Sequence, residues 1–390
     1  MQISRRLLAL GATSALILAA CSSTGASTAP SVAPASTAPS EAPSSAAVDY
    51  TACVAFDTGG LGDKGFNDLA KKGLEDAAAL GYETYFSEAQ GATDYAANIQ
   101  RLIDQDCQTI VTVGFLQSQA TSDAAAANPT IGFAQVDTAW NLCGPDFTCG
   151  NGDDTPHPAN FTGLDYQVDQ SSMLAGYLAA GFSKSGKIAT FGGLAFPGVT
   201  RFMDGLYAGI QYHNQQKGTS VTLLGWDGSL PDPTTTGTFV GGSGGSDTWG
   251  DPAKGEQYAK TFLDQGVDIV HPVAGATGNG TIAAMLAAGK WAIGVDTDQA
   301  ISIAESAGAI LTSSQKAIDV SVVDVIKKNS GGDLGGEDYS GTLENAGVLL
   351  APYHEFEDDI SAELKAEVEA LKAAISDGSV KVCTFLGRGC

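Results

Sequence analysis

The stretch 53–73, Cys-Val-Ala-Phe-Asp-Thr-Gly-Gly-Leu-Gly-Asp-Lys-Gly-Phe-Asn-Asp-Leu-Ala-Lys-Lys-Gly, constrains this chain more than any other. Residues 53–56 are an apolar run suited to a buried strand, and 57–65 are a glycine-rich turn. A helix then begins near Asn67, with Ala70, Gly73, Leu74 and Ala77 at helical spacing on one face. Strand, turn and helix open a βαβ unit, and in open α/β sheets the ligand crevice lies at the carboxyl end of such a strand. Gly60, Gly62 and Gly65 also match the G-x-G-x-x-G of dinucleotide sites. Asp57 and Asp63 sit where a pyrophosphate would lie, and Lys64 offsets only one of them, so the loop works against the anion attraction of its own helix N-terminus. The glycines also serve as plain turn residues. No nicotinamide or flavin cofactor is expected.

Further along, strand and helix patterns alternate. Strands are expected at 82–86, 109–113, 131–136 and 160–163, and again at 187–191, 221–224, 267–270, 291–295 and 310–312. Helices are expected from 94, at 119–127, 167–182, 200–216, 251–265, 281–288, 316–328 and 361–376. Asp251-Pro252 supplies an N-cap followed by proline at the first helical position. Near-continuous apolar strands alternating with helices mean parallel sheets covered on both faces. Two open sheets of ordinary size account for this many strands better than one, and two lobes place their strand ends across a ligand cleft.

The first residues are export signal rather than fold. Ser4-Arg5-Arg6 is a positive n-region, and 7–20 is an apolar run too short to span a bilayer. Leu18-Ala19-Ala20-Cys21 resembles the lipobox of bacterial lipoproteins, which implies cleavage after residue 20 and lipidation of Cys21. Residues 22–48, almost wholly Ser, Ala, Thr and Pro, are expected to form a disordered tether. A net charge of −24 argues against nucleic acid as partner. The six other cysteines suggest disulfides in an exported chain. Short loops favour Cys143 with Cys149 and Cys383 with Cys390, which leaves Cys53 with Cys107 by elimination. Zinc is the runner-up for these cysteines, but the four histidines lack metal spacing, and no metal is expected.

Several blocks now resemble one family. Phe56-Asp57-x-Gly59, Asp63-Lys64-Gly65-Phe66-Asn67 and Gly73 resemble the opening signature of the basic membrane protein family, the purine nucleoside receptor A-like solute receptors of ABC importers. Gly114-Phe115, Gly192-Gly193, Trp249-x-Asp251-Pro252, Gly275-x-Thr277-Gly278, Gly294-Val295-Asp296-x-Asp298-Gln299 and Lys316 continue the likeness over about 50–355. The resemblance implies a type I periplasmic binding protein, α/β, with two flavodoxin-like lobes, parallel sheets and three crossovers. The expected lobes are 49–164 with 312–340, and 165–311 with 341–390. The crossovers, expected near 163–166, 311–313 and 340–342, would be the hinge.

The resemblance also implies a site. Phe56 and Trp249 would sandwich a nucleoside base, Asn67 would bond its edge, Asp296 would accept from both ribose hydroxyls with Lys316 beside it, and Gly275 would admit the sugar. Asp57 and Asp63 would organise the loop, and Gln117 and Ser118 occupy the region where the family can read the base. Aromatic faces and a diol-accepting carboxylate suit a neutral nucleoside on chemical grounds as well. Taken alone, Phe56 also reads as core and Asp296 as a helix cap. No catalytic elbow or metal-ligand run appears. The chain thus reads as a monomeric receptor serving an ABC permease and its ATPase. A sensor for a membrane receptor is the alternative within the same fold, and a dinucleotide-binding enzyme is the alternative that the G-x-G-x-x-G match leaves open.

Overall fold

The computed structural model describes residues 47–140, 157–228 and 237–387. Two six-stranded sheets organise it. The first holds β1 (Thr51–Phe56), β2 (Glu83–Glu88), β3 (Thr109–Val113), β4 (Gly132–Val136), β5 (Phe161–Tyr166) and β11 (Tyr339–Gly341), in the order β11-β5-β4-β3-β1-β2. All of its pairings are parallel. The second holds β6 (Lys187–Gly192), β7 (Thr222–Leu224), β8 (Ile269–Val273), β9 (Trp291–Asp296), β10 (Ile310–Lys316) and β12 (Val348–Leu350), in the order β12-β10-β9-β8-β6-β7. Here β12 is antiparallel to β10, an edge exception to the parallel sheets expected.

The inner strands β3, β4, β5 and β8 are buried at every position, which is why they show no alternation of apolar and exposed polar residues. Helices cover both faces. The helix Pro252–Asp264 begins where Asp251 accepts the Lys254 N–H at 3.0 Å, with proline at its first position. The helix Ala362–Ser376 begins with Ser361 accepting from the Leu364 N–H at 3.2 Å. Cys53 on β1 is bonded to Cys107, just before β3, the pairing reached by elimination. Cys383 is disulfide-bonded, whereas Cys21, Cys143, Cys149 and Cys390 lie outside the described residues.

Several segments differ from the sequence reading, among them the edge strands β11 and β12, which it does not include. The strand expected at 310–312 runs on to Lys316, and the next helix is Ile318–Ser330 rather than 316–328. Thr312 and Ser313 are polar, yet both are buried and bonded. Thr312 donates to the Ala351 carbonyl at 2.7 Å, and Ser313 Oγ accepts the Gln299 N–H at 3.1 Å. The lobe boundary expected at 311/312 therefore falls inside β10, which pairs with β9 through Gln315. The chain passes between the sheets after Tyr166, after Lys316 and after Gly341. These three passages lie close together, since Gln167 N–H donates to the Gly341 carbonyl at 2.8 Å and Ala317 N–H to that of Gly347 at 2.9 Å. Finally, the helix expected at 281–288 begins earlier and spans Gly275–Ala287.

Candidate ligand-binding site

The carboxyl ends of both sheets face one cavity. Its first-lobe wall is Asp57, Gly59, Asp63, Phe66, Asn67, Gly114, Phe115 and Asp137. Its second-lobe wall includes Phe196, Phe202, Trp249, Gly275, Asp296 and Lys316. This lining of aromatic rings, carboxylates and one lysine suits a small organic molecule.

The loop after β1 is organised around Asp63. Gly65, at the N-cap of the helix Phe66–Ala79, has no side chain to satisfy the helix's first N–H groups. The buried Asp63 carboxylate accepts from the backbone of Gly65 (2.9 Å), Asn67 (2.8 Å) and Asp68 (3.2 Å), and from Asn67 Nδ2 (3.1 Å). The N–H groups a pyrophosphate would need at this G-x-G-x-x-G turn are thus already taken. Asn67 Oδ1 accepts the Asp57 N–H at 3.1 Å, which orients its amide beside the cavity. Asp57 is held in turn by Tyr95 and by the Thr58 N–H at 2.7 Å.

At the centre lies Lys316, the last residue of β10 and 3 % exposed. Its Nζ sits 2.9 Å from both oxygens of Asp137 and 3.4 Å from Asp296 Oδ1. The rings of Phe202 (4.8 Å) and Phe66 (5.2 Å) face the same ammonium. Burial works to lower the Lys316 pKa, but Asp137 and Asp296 outweigh it and push it up, so the ammonium is retained. Asp137 after β4 and Asp296 ending β9 both take left-handed backbone, at φ 65° and 66°. Aspartate tolerates this region better than most residues. The same turn in each lobe thus aims a carboxylate at one lysine. Burial pushes the Asp296 carboxyl up to about 6, with Lys316 opposing and the neighbouring Asp137 and Asp63 adding to the rise.

Trp249 ends a single helical turn, Ser246–Trp249, after the glycine-rich stretch. Its indole lies against Gly193, where an added Cβ would stand 2.0 Å from the ring. It meets Phe196 edge-on at 6.0 Å, and Phe196 stacks on Phe115 of the other lobe at 5.2 Å.

Of the residues expected at the site, Asn67, Trp249, Gly275, Asp296, Lys316, Asp57 and Asp63 share the cavity wall. Phe56, Gln117 and Ser118 do not. Phe56 is fully buried on the same strand face as Ala52 and Val54 and packs edge-on against Phe86. The last residue of β1 thus turns its ring into the core beneath the crevice, whereas Asp296 and Lys316, the last residues of β9 and β10, turn theirs into it. Phe66, in the same motif, lines the cavity instead. Gln117 donates to the carbonyls of Ala55 and Val113, each at 2.9 Å, and so braces β1 against β3. Ser118 bonds Phe115 O and Gln135. Asp137 was missed. Its signal was a lone acid ending an apolar strand, the same pattern that marked Asp296. Among the described residues no cluster of His, Cys, Asp and Glu has the makings of a metal site.

Two sheets closing strand ends on a cavity with one buried lysine define a two-lobed solute-binding protein. The chain belongs to the Bmp family, described as ABC transporter substrate-binding protein PnrA-like, whose model matches residues 51–234 and 244–382. It is 27% identical over 356 residues to a Lactococcus lactis protein named ABC transporter nucleoside-binding protein BmpA, covering 86% of this chain and 89% of the other. A Listeria innocua protein named CD4+ T-cell-stimulating antigen is also 27% identical, over 86% of this chain and 88% of its own. An ABC transporter solute-binding protein from Aeropyrum pernix superposes with a TM-score of 0.71 at 25% identity, over 85% of this chain and 92% of that one. The architecture is thus the type I periplasmic binding protein fold expected from the resemblance.

Proposed function

We propose that this substrate-binding protein captures a purine nucleoside between its lobes and presents it to an ABC importer, while a lipid on Cys21 holds it at the outer face of the membrane. One observation carries the ligand: the buried Asp296–Lys316–Asp137 array beside a wall of Phe66, Phe115, Phe196 and Trp249. Among the described residues Asp296 Oδ1 has no hydrogen-bond partner beyond its 3.4 Å approach to Lys316, which leaves it able to accept from a ribose hydroxyl. The aromatic rings suit the faces of a base. The wall carries Asp57, Asp63, Asp137 and Asp296 against the one ammonium of Lys316, a balance that favours a neutral nucleoside over a phosphorylated one. The nucleoside-binding name of the Lactococcus relative supports the same reading.

Thermal unfolding of the isolated 49–390 region tests it. Adenosine, guanosine or inosine at a thousandfold excess over Kd should stabilise the fold by about 4 kcal/mol, a plain rise in melting temperature. Nucleoside monophosphates, NAD, free sugars and amino acids should leave it unmoved. A shift with NAD and none with any nucleoside would reverse the assignment.

A further inference from the structure

We propose that Asn279 and Ser302 form a latch on the ligand loop, set by Gln299, that holds the lobes together around the bound solute without touching it. Asp63 spends its carboxylate within the loop, leaving its main-chain carbonyl to face outward. Asn279 lies one turn beyond Gly275 on the same helix, and its Nδ2 donates to that carbonyl at 3.0 Å. Ser302 Oγ donates to the next carbonyl, that of Lys64, at 2.7 Å, where Lys64 itself takes left-handed backbone with φ 60°. Two second-lobe donors thus grip two successive first-lobe carbonyls.

The donor sense of Asn279 is determined at both ends of a chain of bonds. The Val295 N–H donates to Gln299 Oε1 at 2.9 Å, so Gln299 Nε2 must donate onward, to Asn279 Oδ1 at 2.9 Å. That leaves Asn279 Nδ2 for the Asp63 carbonyl, which can only accept. Gln299 is 2 % exposed and is pinned through its own N–H to Ser313 on β10. The chain therefore runs from the ends of β9 and β10, which carry Asp296 and Lys316, to the loop that carries Phe66 and Asn67. Asn279, Gln299 and Ser302 do not line the cavity. They couple the two halves of the site, and the bonds to the loop exist only with the lobes together. Asn279 and Ser302 are positioning residues whose effect is on ligand release.

The proposal rests on the nucleoside reading only for the choice of ligand. Asn279→Asp keeps the side chain's size but sets a carboxylate against the Asp63 carbonyl, and Ser302→Ala removes the second donor. Stopped-flow tryptophan fluorescence on the mature chain should show dissociation of the nucleoside faster by on the order of tenfold in N279D and by less in S302A. Association rate and ligand-free melting temperature should match the parent. An unchanged dissociation rate in N279D overturns the latch. So does faster release with an equal loss of ligand-free stability, which would mark packing inside the second lobe. A parent that binds no nucleoside overturns the functional reading instead. The latch is then decided by the same release measurement on the solute that raises the parent's melting temperature in a screen of nucleobases, sugars and riboflavin, where faster release from N279D supports it and an equal rate overturns it.

Discussion

Asp296 joins two opposing protonation demands in one side chain. Its carboxyl is pushed up to about 6 by burial, against the pull of Lys316 and with Asp137 and Asp63 adding to the rise. A folded pKa above the unfolded value of ~4 means that the ligand-free fold gains from keeping the proton. That contribution is full below pH ~4 and is lost as pH rises through about 6. Binding runs the other way, because a carboxylate that accepts from two ribose hydroxyls must be ionised. Nucleoside affinity should therefore fall as pH drops through about 6, while the stability owed to this group rises. Asp296→Asn should weaken binding at pH 7 by about 2–3 kcal/mol, the scale of hydrogen bonds to a charged acceptor. It should also flatten the pH dependence of Kd between pH ~5 and ~7. Calorimetry across that range decides it, and an Asn variant with the parent's slope would remove Asp296 from the ribose. The sequence marked Asp296 through its motif. It could not show that Asp137 faces the same lysine, because they are 159 residues apart and meet only when two lobes do.

At the scale of elements, the opening strand–turn–helix packs as its residue types direct. Gly73 lies where the helix Phe66–Ala79 crosses Ile318–Ser330, and a Cβ there would stand 2.7 Å from the Asp319 carbonyl and 2.8 Å from Val322 Cβ. Gly73→Ala should cost about 1–3 kcal/mol by forcing the helices apart, read as a lower urea midpoint at unchanged slope. Nucleoside affinity should hold, since none of the three residues lines the cavity. An unchanged midpoint would mean that the helices can separate freely. The polar end of β10 and the glycine-rich start of Gly275–Ala287 escaped the sequence for a related reason. Their stability comes from partners distant in the chain, Ala351 and Gln299 for β10, which no local propensity registers.

At the scale of the whole molecule, a proposed lipid anchor at Cys21 precedes a binding module made by two sheets. No helix among the described residues is long and apolar enough to cross a membrane, so the proposed attachment rests on Cys21. Mass spectrometry of protein from its own membrane should find a diacylglyceryl-modified Cys21 as the mature N-terminus, and an unmodified terminus at another position would remove the anchor. From residues alone came the α/β class, the two series of strands, the Cys53–Cys107 pairing by elimination, and the loop from Asp57 to Asn67. Each depends on periodicity, capping or counting, which are local. The tertiary structure decided that Phe66 rather than Phe56 reaches the cavity, that Gln117 braces strands, that β10 extends to Lys316, and that Asn279 meets the Asp63 carbonyl. Each depends on which side of a two-faced sheet a residue meets, or on a contact between lobes, and neither is written in the spacing of residues along one segment.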